Sequence, residues 1–66
     1  MTVAKTVEIS AGSPESFEDA IQKGIKRASK TIDNIQGAWV NEMKVVVEKD
    51  LVQEFRVSMK VTFVIN

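Results

Sequence analysis

Residues 51–65 alternate between apolar and polar side chains with a period of two, which is typical of a strand with one buried and one solvated face. Gln53 is the one polar member of the odd set. The odd positions are Leu51, Gln53, Phe55, Val57, Met59, Val61, Phe63 and Ile65. A run of this length predicts a long strand, and a long strand needs both a neighbouring strand and a layer that covers its apolar face.

Residues 35–48 follow the same alternation more loosely and predict the partner strand. Asn41 interrupts the odd side. We assign six odd residues to one face: Ile35, Gly37, Trp39, Met43, Val45 and Val47. The polar segment 48–50 joins the two runs, so the sequence predicts an antiparallel hairpin.

The first half of the chain predicts one strand and one helix. Residues 2–10 alternate as a strand, and Ser13 and Pro14 suit the N-cap and first position of a helix that runs to Lys30 or Ile32. Its apolar residues recur at helical spacing: Phe17, Ala20, Ile21, Gly24, Ile25, Ala28 and Ile32. The predicted fold class is therefore α+β, β-α-β-β, with a three-stranded antiparallel sheet wrapped on one amphipathic helix.

The lengths of these elements predict that the chain assembles with copies of itself. A strand of 14 residues spans roughly 45 Å, whereas a helix of 17 residues is only about 26 Å long, so one helix cannot cover the hairpin. A single domain over residues 1–66 is also small, and the sequence has no Cys or His for disulfides or a zinc site. Oligomerisation is the remaining source of stability.

Composition excludes several classes of function. Without His, Cys or Tyr, a glycine-rich phosphate loop or a suitably spaced carboxylate pair, the sequence does not predict an enzyme. Nine basic and nine acidic residues give a formal charge of zero, which does not favour nucleic-acid binding. No apolar stretch approaches the roughly 18–20 residues that span a bilayer, and we expect a soluble cytoplasmic protein.

The order of elements, taken with three segments, resembles the dodecin family along essentially the whole chain. Residues 5–17 (KTVEISAGSPESF) are similar to the first strand and helix start of that family, residues 31–35 (TIDNI) to its helix exit, and residues 55–63 (FRVSMKVTF) to its closing strand. The resemblance implies a hollow homo-oligomer, a dodecamer with helices outside, that stores flavins such as riboflavin or FMN.

The same resemblance identifies candidate site residues. Gly37 stands where flavin-binding dodecins carry a ring-stacking Trp, and Arg56 stands where they carry a flavin-facing Gln. A branch of dodecins that lacks this Trp and has Arg at the second position is described as calcium-binding. This chain resembles that branch at Arg56, yet Trp39 lies only two residues from Gly37.

Three hypotheses follow. In the first, Trp39 stacks on a flavin or another planar ring and Arg56 contacts a phosphate or ring carbonyl, although whether the two share a face depends on the hairpin register. The alternative for Trp39 is a core or interface anchor. In the second, calcium binds oxygens from several copies, with Asp33, Asn34, Glu48 and Asp50 as the available ligands; these residues also suit a helix exit and a turn. In the third, the oligomer is purely structural.

Overall fold

The computed structural model describes residues 2–65 and contains three strands and one helix in that range. In chain order these are β1 (Val3–Ser13), α1 (Phe17–Ala28), β2 (Ile35–Glu48) and β3 (Leu51–Ile65). The sheet has the order β1-β3-β2, and both outer strands run antiparallel to β3. The predicted β-α-β-β fold with a three-stranded antiparallel sheet is confirmed.

The hairpin has the predicted bounds. Strands β2 and β3 cover residues 35–48 and 51–65, and the turn between them consists of Lys49 and Asp50. Both turn residues have positive φ, 52° and 63°. Two consecutive residues with positive φ are the requirement of a tight hairpin turn whose twist matches that of the strands.

The core lies where α1 crosses the middle of β3. Val57, Met59 and Val61 of β3 are buried, and the first two form a cluster with Ala20 of the helix. Six half-buried residues pack around this cluster: Ile9, Ala11, Phe17, Ile21, Ile25 and Val40. The Phe17 ring closes one end by an edge-to-face contact with Phe55, with ring centroids 5.1 Å apart.

The helix leaves the turn end of the hairpin uncovered. It has 12 residues and is therefore only about 18 Å long, in a molecule whose longest extent is 52 Å. Met43, Val45, Val47 and Val52, which we call the apolar arm, lie on the helix side of the sheet beyond α1 and stay 41 to 55% exposed. The predicted mismatch between helix and hairpin is thus present, and it leaves a continuous apolar surface exposed on the helix side of the sheet.

The helix begins three residues later than predicted. Its N-cap is Ser16, whose hydroxyl accepts a hydrogen bond from the Asp19 N–H at 2.9 Å, so the assignment of Ser13 and Pro14 to the first turn is wrong. Ser16 and Asp19 have the spacing of a capping box, and this signal was available in the sequence. The helix also ends before Lys30, at Ala28. The N–H groups of Lys30 and Thr31 bond to the carbonyls of Arg27 and Ala28, three residues back, and these bonds tighten the last turn.

Strand β1 continues to Ser13 instead of ending at residue 10. Ala11 and Gly12 remain in the ladder opposite Val57 and Arg56. Both positions need small residues, because Gly24 of the helix packs against Ala11 and the Glu54 side chain lies over Gly12. Ser13 is fully buried and donates a hydrogen bond of 2.5 Å to Asp19, whose carboxylate also contacts the Lys23 ammonium at 2.9 Å. The Ser13 hydrogen bond, followed by that from Lys23, lowers the pKa of Asp19.

Candidate functional site

Two register shifts in β2 place Trp39 on the side of the sheet that the helix does not cover. Ile35 pairs with Phe63 but Gly37 pairs with Thr62, so β2 gains one residue there and its odd positions change face. A second shift between Val40 and Glu42 returns the odd positions to the helix side. The prediction that Gly37 and Trp39 share a face with Met43, Val45 and Val47 is therefore wrong.

The sequence contained one signal for this change. Asn41 interrupts the apolar odd positions, and it is the extra residue of the second shift, since Val40 pairs with Met59 and Glu42 pairs with Ser58. A polar residue that breaks an alternation marks a candidate bulge, and a bulge inverts every side chain that follows it.

The register brings Trp39, Gly37 and Arg56 onto one surface, which we call the open face. Directly paired residues of antiparallel strands point to the same side of a sheet. Four rows that each cross β1, β3 and β2 build the open face: Thr6–Thr62–Gly37, Glu8–Lys60–Trp39, Ser10–Ser58–Glu42 and Gly12–Arg56–Lys44. Hydroxyl and charged groups dominate these rows, so Trp39 is a large aromatic group in a polar surface.

Trp39 is 77% exposed and has open space beside it. A Cβ placed on Gly37 would have no atom of residues 2–65 outside its immediate chain neighbours within 4 Å. Thr6, Lys60 and Thr62 border the hollow next to the indole. A flat group can therefore approach the Trp39 ring without displacing a described side chain, with hydroxyls and an ammonium at its margin.

Arg56 belongs to the same face but does not adjoin Trp39. It lies four residues along β3 from Lys60, the partner of Trp39, which corresponds to about 13 Å at ~3.3 Å per residue. Its Nη1 lies 3.4 Å from the Glu54 carboxylate, in an exposed ion pair. The three candidate residues thus divide into an aromatic part, formed by Trp39 and Gly37, and a cationic part at Arg56.

The candidate calcium ligands lie at opposite ends of the chain's fold. Asp33 and Asn34 precede the start of β2, whereas Glu48 and Asp50 lie at the hairpin turn, where β2 ends. Asn34 and Asp50 have positive φ of 61° and 63°, as their positions at a helix exit and a turn require. Within residues 2–65 no three acidic side chains are grouped so as to hold a metal ion. One copy cannot assemble this set by itself.

The fold and the site define a class of protein: a small, long-hairpin subunit with an incompletely covered apolar side and an open polar face that presents one aromatic ring. Across residues 2–65 we find no helix with the length and apolarity to cross a membrane. The family model named Dodecin matches residues 3–66, and the chain belongs to the dodecin family.

Known relatives agree along almost the whole length. The calcium dodecin of Mycobacterium tuberculosis is 32% identical over 63 residues, which are 96% of this chain and 89% of that protein. The dodecin from Streptomyces davaonensis superposes with a TM-score of 0.95 at 31% identity, with 98% of this chain and 96% of the other covered. The crystal structure of the M. tuberculosis protein, described as calcium-chelating with a novel calcium-binding site, gives a TM-score of 0.85 at 30% identity, with coverage of 97% and 91%.

Family membership settles the general nature of the protein. Dodecins are small ligand-binding storage proteins that assemble as homo-oligomers, and they are not enzymes. The prediction of a non-enzymatic dodecin-type protein is confirmed.

Proposed function

We propose that this protein is a homo-oligomeric storage protein that holds a flavin or a related planar molecule against Trp39. The observation that carries the proposal is the exposed Trp39 ring on the open face, beside the unfilled space at Gly37. Indole rings favour offset stacking on other aromatic systems and gain from removing both surfaces from water. A ring left 77% exposed on a polar surface therefore favours a ligand that covers it.

The proposal differs from a simple copy of the family's flavin site. In this chain the position that resembles the family's stacking Trp is Gly37, and the indole is displaced by two residues to Trp39. Because both residues lie on the open face in neighbouring rows, Trp39 can serve the same surface from a shifted position. We infer that the flavin ring stacks on the Trp39 indole, lies over Gly37 and is bordered by Thr62 and Lys60.

A fluorescence titration tests this proposal directly. Trp39 is the only Trp and the sequence has no Tyr, so the emission of the protein reports on this side chain alone. Added riboflavin or FMN should quench Trp39 emission and lose its own fluorescence along one saturation curve. Trp39→Phe should weaken binding and Trp39→Ala should abolish it.

The matched control is Val3→Ala, which trims an apolar side chain that is 53% exposed and lies on the helix side of the sheet. This variant should bind flavin like the wild type. If saturating flavin changes neither Trp39 emission nor the melting temperature, Trp39 is an anchor between copies and the flavin proposal is wrong.

A second candidate function is calcium binding. It is supported by the 32% identity to the calcium dodecin of M. tuberculosis. The ligands would have to come from several copies, because the described part of one chain groups no three acidic side chains around a common point. A melting temperature that rises with calcium and falls back with EDTA would support this function, and magnesium at equal concentration is the control. If neither flavin nor calcium binds, the oligomer is purely structural.

A further inference from the structure

Lys60 stands directly beside Trp39 in the sheet. It belongs to β3 and pairs with Trp39 of β2 on the open face, and both side chains are exposed. Directly paired residues of antiparallel strands have Cβ atoms about 4.5–5.5 Å apart. The flexible four-carbon stem of a lysine carries its ammonium well beyond that distance. The Lys60 ammonium can therefore reach the edge of a ring that stacks on the Trp39 indole.

The hollow beside Trp39 has a positive margin. Lys60 and Trp39 line a hollow of about 600 Å³, and none of the described residues that line it carries a carboxylate. Lys5 also borders this hollow from β1, but its pairing with Phe63 places its side chain on the helix side of the sheet. On the open face, Lys60 is thus the charged group of this hollow.

Two carboxylates lie near Lys60 but face another hollow. Glu8 pairs with Lys60 on the β1 side, away from Trp39, and Glu42 lies in the next row, opposite Ser58. Both carboxylates line a separate hollow that contains Ser58. Neither ion pair within residues 2–65 involves Lys60. Glu8 offsets part of the positive charge from the far side, and the ammonium remains available to a ligand at Trp39.

Reduction changes the charge of a flavin ring where such a cation acts. The oxidised isoalloxazine is neutral at neutral pH. Two electrons and one proton, which adds to N5, convert it to a hydroquinone that is anionic at mildly alkaline pH, with the charge shared by N1 and the C2 carbonyl oxygen. Charge near these atoms tunes the electronics of a bound flavin. A neighbouring ammonium stabilises the anionic ring by a charge-assisted hydrogen bond that the neutral ring makes only weakly.

We propose that Lys60 is a specificity-determining residue of the Trp39 site and favours the reduced, anionic flavin ring over the oxidised one. A flavin held at Trp39 is consequently easier to reduce, by a reductant from solution, than it would be without this ammonium. This role of Lys60 rests on the function proposed above, because it concerns the same ring at the same indole. It adds the redox state that this site stabilises and the side chain responsible.

Spectroelectrochemistry of bound riboflavin measures the effect of Lys60. Riboflavin has no phosphate, so its midpoint potential reports on the surroundings of the ring alone. At mildly alkaline pH, Lys60→Gln should weaken binding of the hydroquinone about tenfold more than binding of the oxidised ring, because a charge-assisted hydrogen bond is lost. A tenfold change corresponds to about 30 mV for a two-electron couple, so the midpoint potential of the bound flavin should fall by about 30 mV.

Two further variants separate this role from a general effect of charge. Lys60→Arg keeps the positive charge and should restore most of the wild-type potential. Lys44→Gln removes an exposed charge of the same face from a row about 13 Å away, by four residues at ~3.3 Å each, and should leave the potential unchanged.

The outcomes distinguish this role of Lys60 from the proposed function. If the wild type and Lys60→Gln both bind riboflavin with equal midpoint potentials, the role of Lys60 is refuted and the flavin proposal stands. An equal fall in Lys44→Gln would mean that net charge alone sets the potential, and this would also refute it. A wild type that binds no riboflavin would refute both.

Discussion

Replacing Gly24 with Ala should destabilise the protein, although alanine is the better helix former. Gly24 is buried on the face of α1 that meets the sheet. A Cβ at this position would lie 2.9 Å from the Ala11 Cβ and 2.9 Å from the Met59 Cε. The Met59 methyl can rotate away, but the Ala11 Cβ is fixed to the backbone of β1, so the helix and the strand would have to separate.

The two opposing contributions set the expected magnitude. Alanine in the interior of a helix gains about 1 kcal/mol over glycine, whereas adding a methyl to a packed core costs about 1–3 kcal/mol. The net loss should be about 1 kcal/mol, which corresponds to a fall of about 4–8 °C in the melting temperature of a domain of this size. Melting curves must be compared at equal protein concentration, because the melting temperature of a protein that assembles from subunits depends on concentration.

A double-mutant cycle identifies the contact responsible. Ala11→Gly removes the fixed Cβ, so adding Gly24→Ala to that background should cost less than it does in the wild type. Gly37→Ala is the control. No described atom beyond the chain neighbours of Gly37 lies within 4 Å of the added Cβ. Alanine is also favoured over glycine in a strand, by about 0.5–1 kcal/mol. A Gly24→Ala variant that melts above the wild type, or strictly additive effects in the cycle, would refute the packing argument.

Three further changes test other parts of the structure. Val45→Asp puts a charge in the apolar arm. It should disrupt the oligomer, because burying an unpaired carboxylate between subunits costs several kcal/mol. An elution volume in size exclusion equal to that of the wild type would contradict this prediction. The pKa of Asp19 is lowered in the folded protein, so its contribution to stability is present above the ordinary value of 3.8 and is lost as pH falls through the folded pKa. Asp19→Asn should therefore flatten the acid side of a plot of stability against pH. Parallel curves for the variant and the wild type would contradict this role of Asp19. Asp50→Gly should stabilise the hairpin by about 0.5–1 kcal/mol, because glycine adopts positive φ without strain; a lower denaturation midpoint would contradict this.

The fold was largely predictable because its strongest signals are periodic. The alternation in residues 35–48 and 51–65 gave both hairpin strands their observed bounds, since a long period-two pattern constrains many residues together. The ends of the other elements were less accessible. The helix start depends on which serine caps it, and Pro14 directly after Ser13 favours Ser13 in the sequence although Ser16 is the N-cap.

The candidate site was harder to predict because one residue of register decides it. The alternation of β2 describes faces only between bulges, and the shifts near Gly37 and Asn41 move Trp39 from the helix side to the open face. The sequence leaves open whether Trp39 and Arg56 share a face, and the register of the hairpin places both on the open face. Cross-strand neighbours such as Lys60 and Trp39 become visible only when the pairing is known.

Native mass spectrometry in the presence of FMN tests the central claim most directly, because it reports assembly and ligand together. We expect a species whose mass is a multiple of the 7.3 kDa subunit and includes a whole number of bound flavins. Trp39→Ala should give the same multiple without flavin. A 7.3 kDa monomer, or a wild-type assembly that carries no more flavin than the Trp39→Ala variant, would contradict the account.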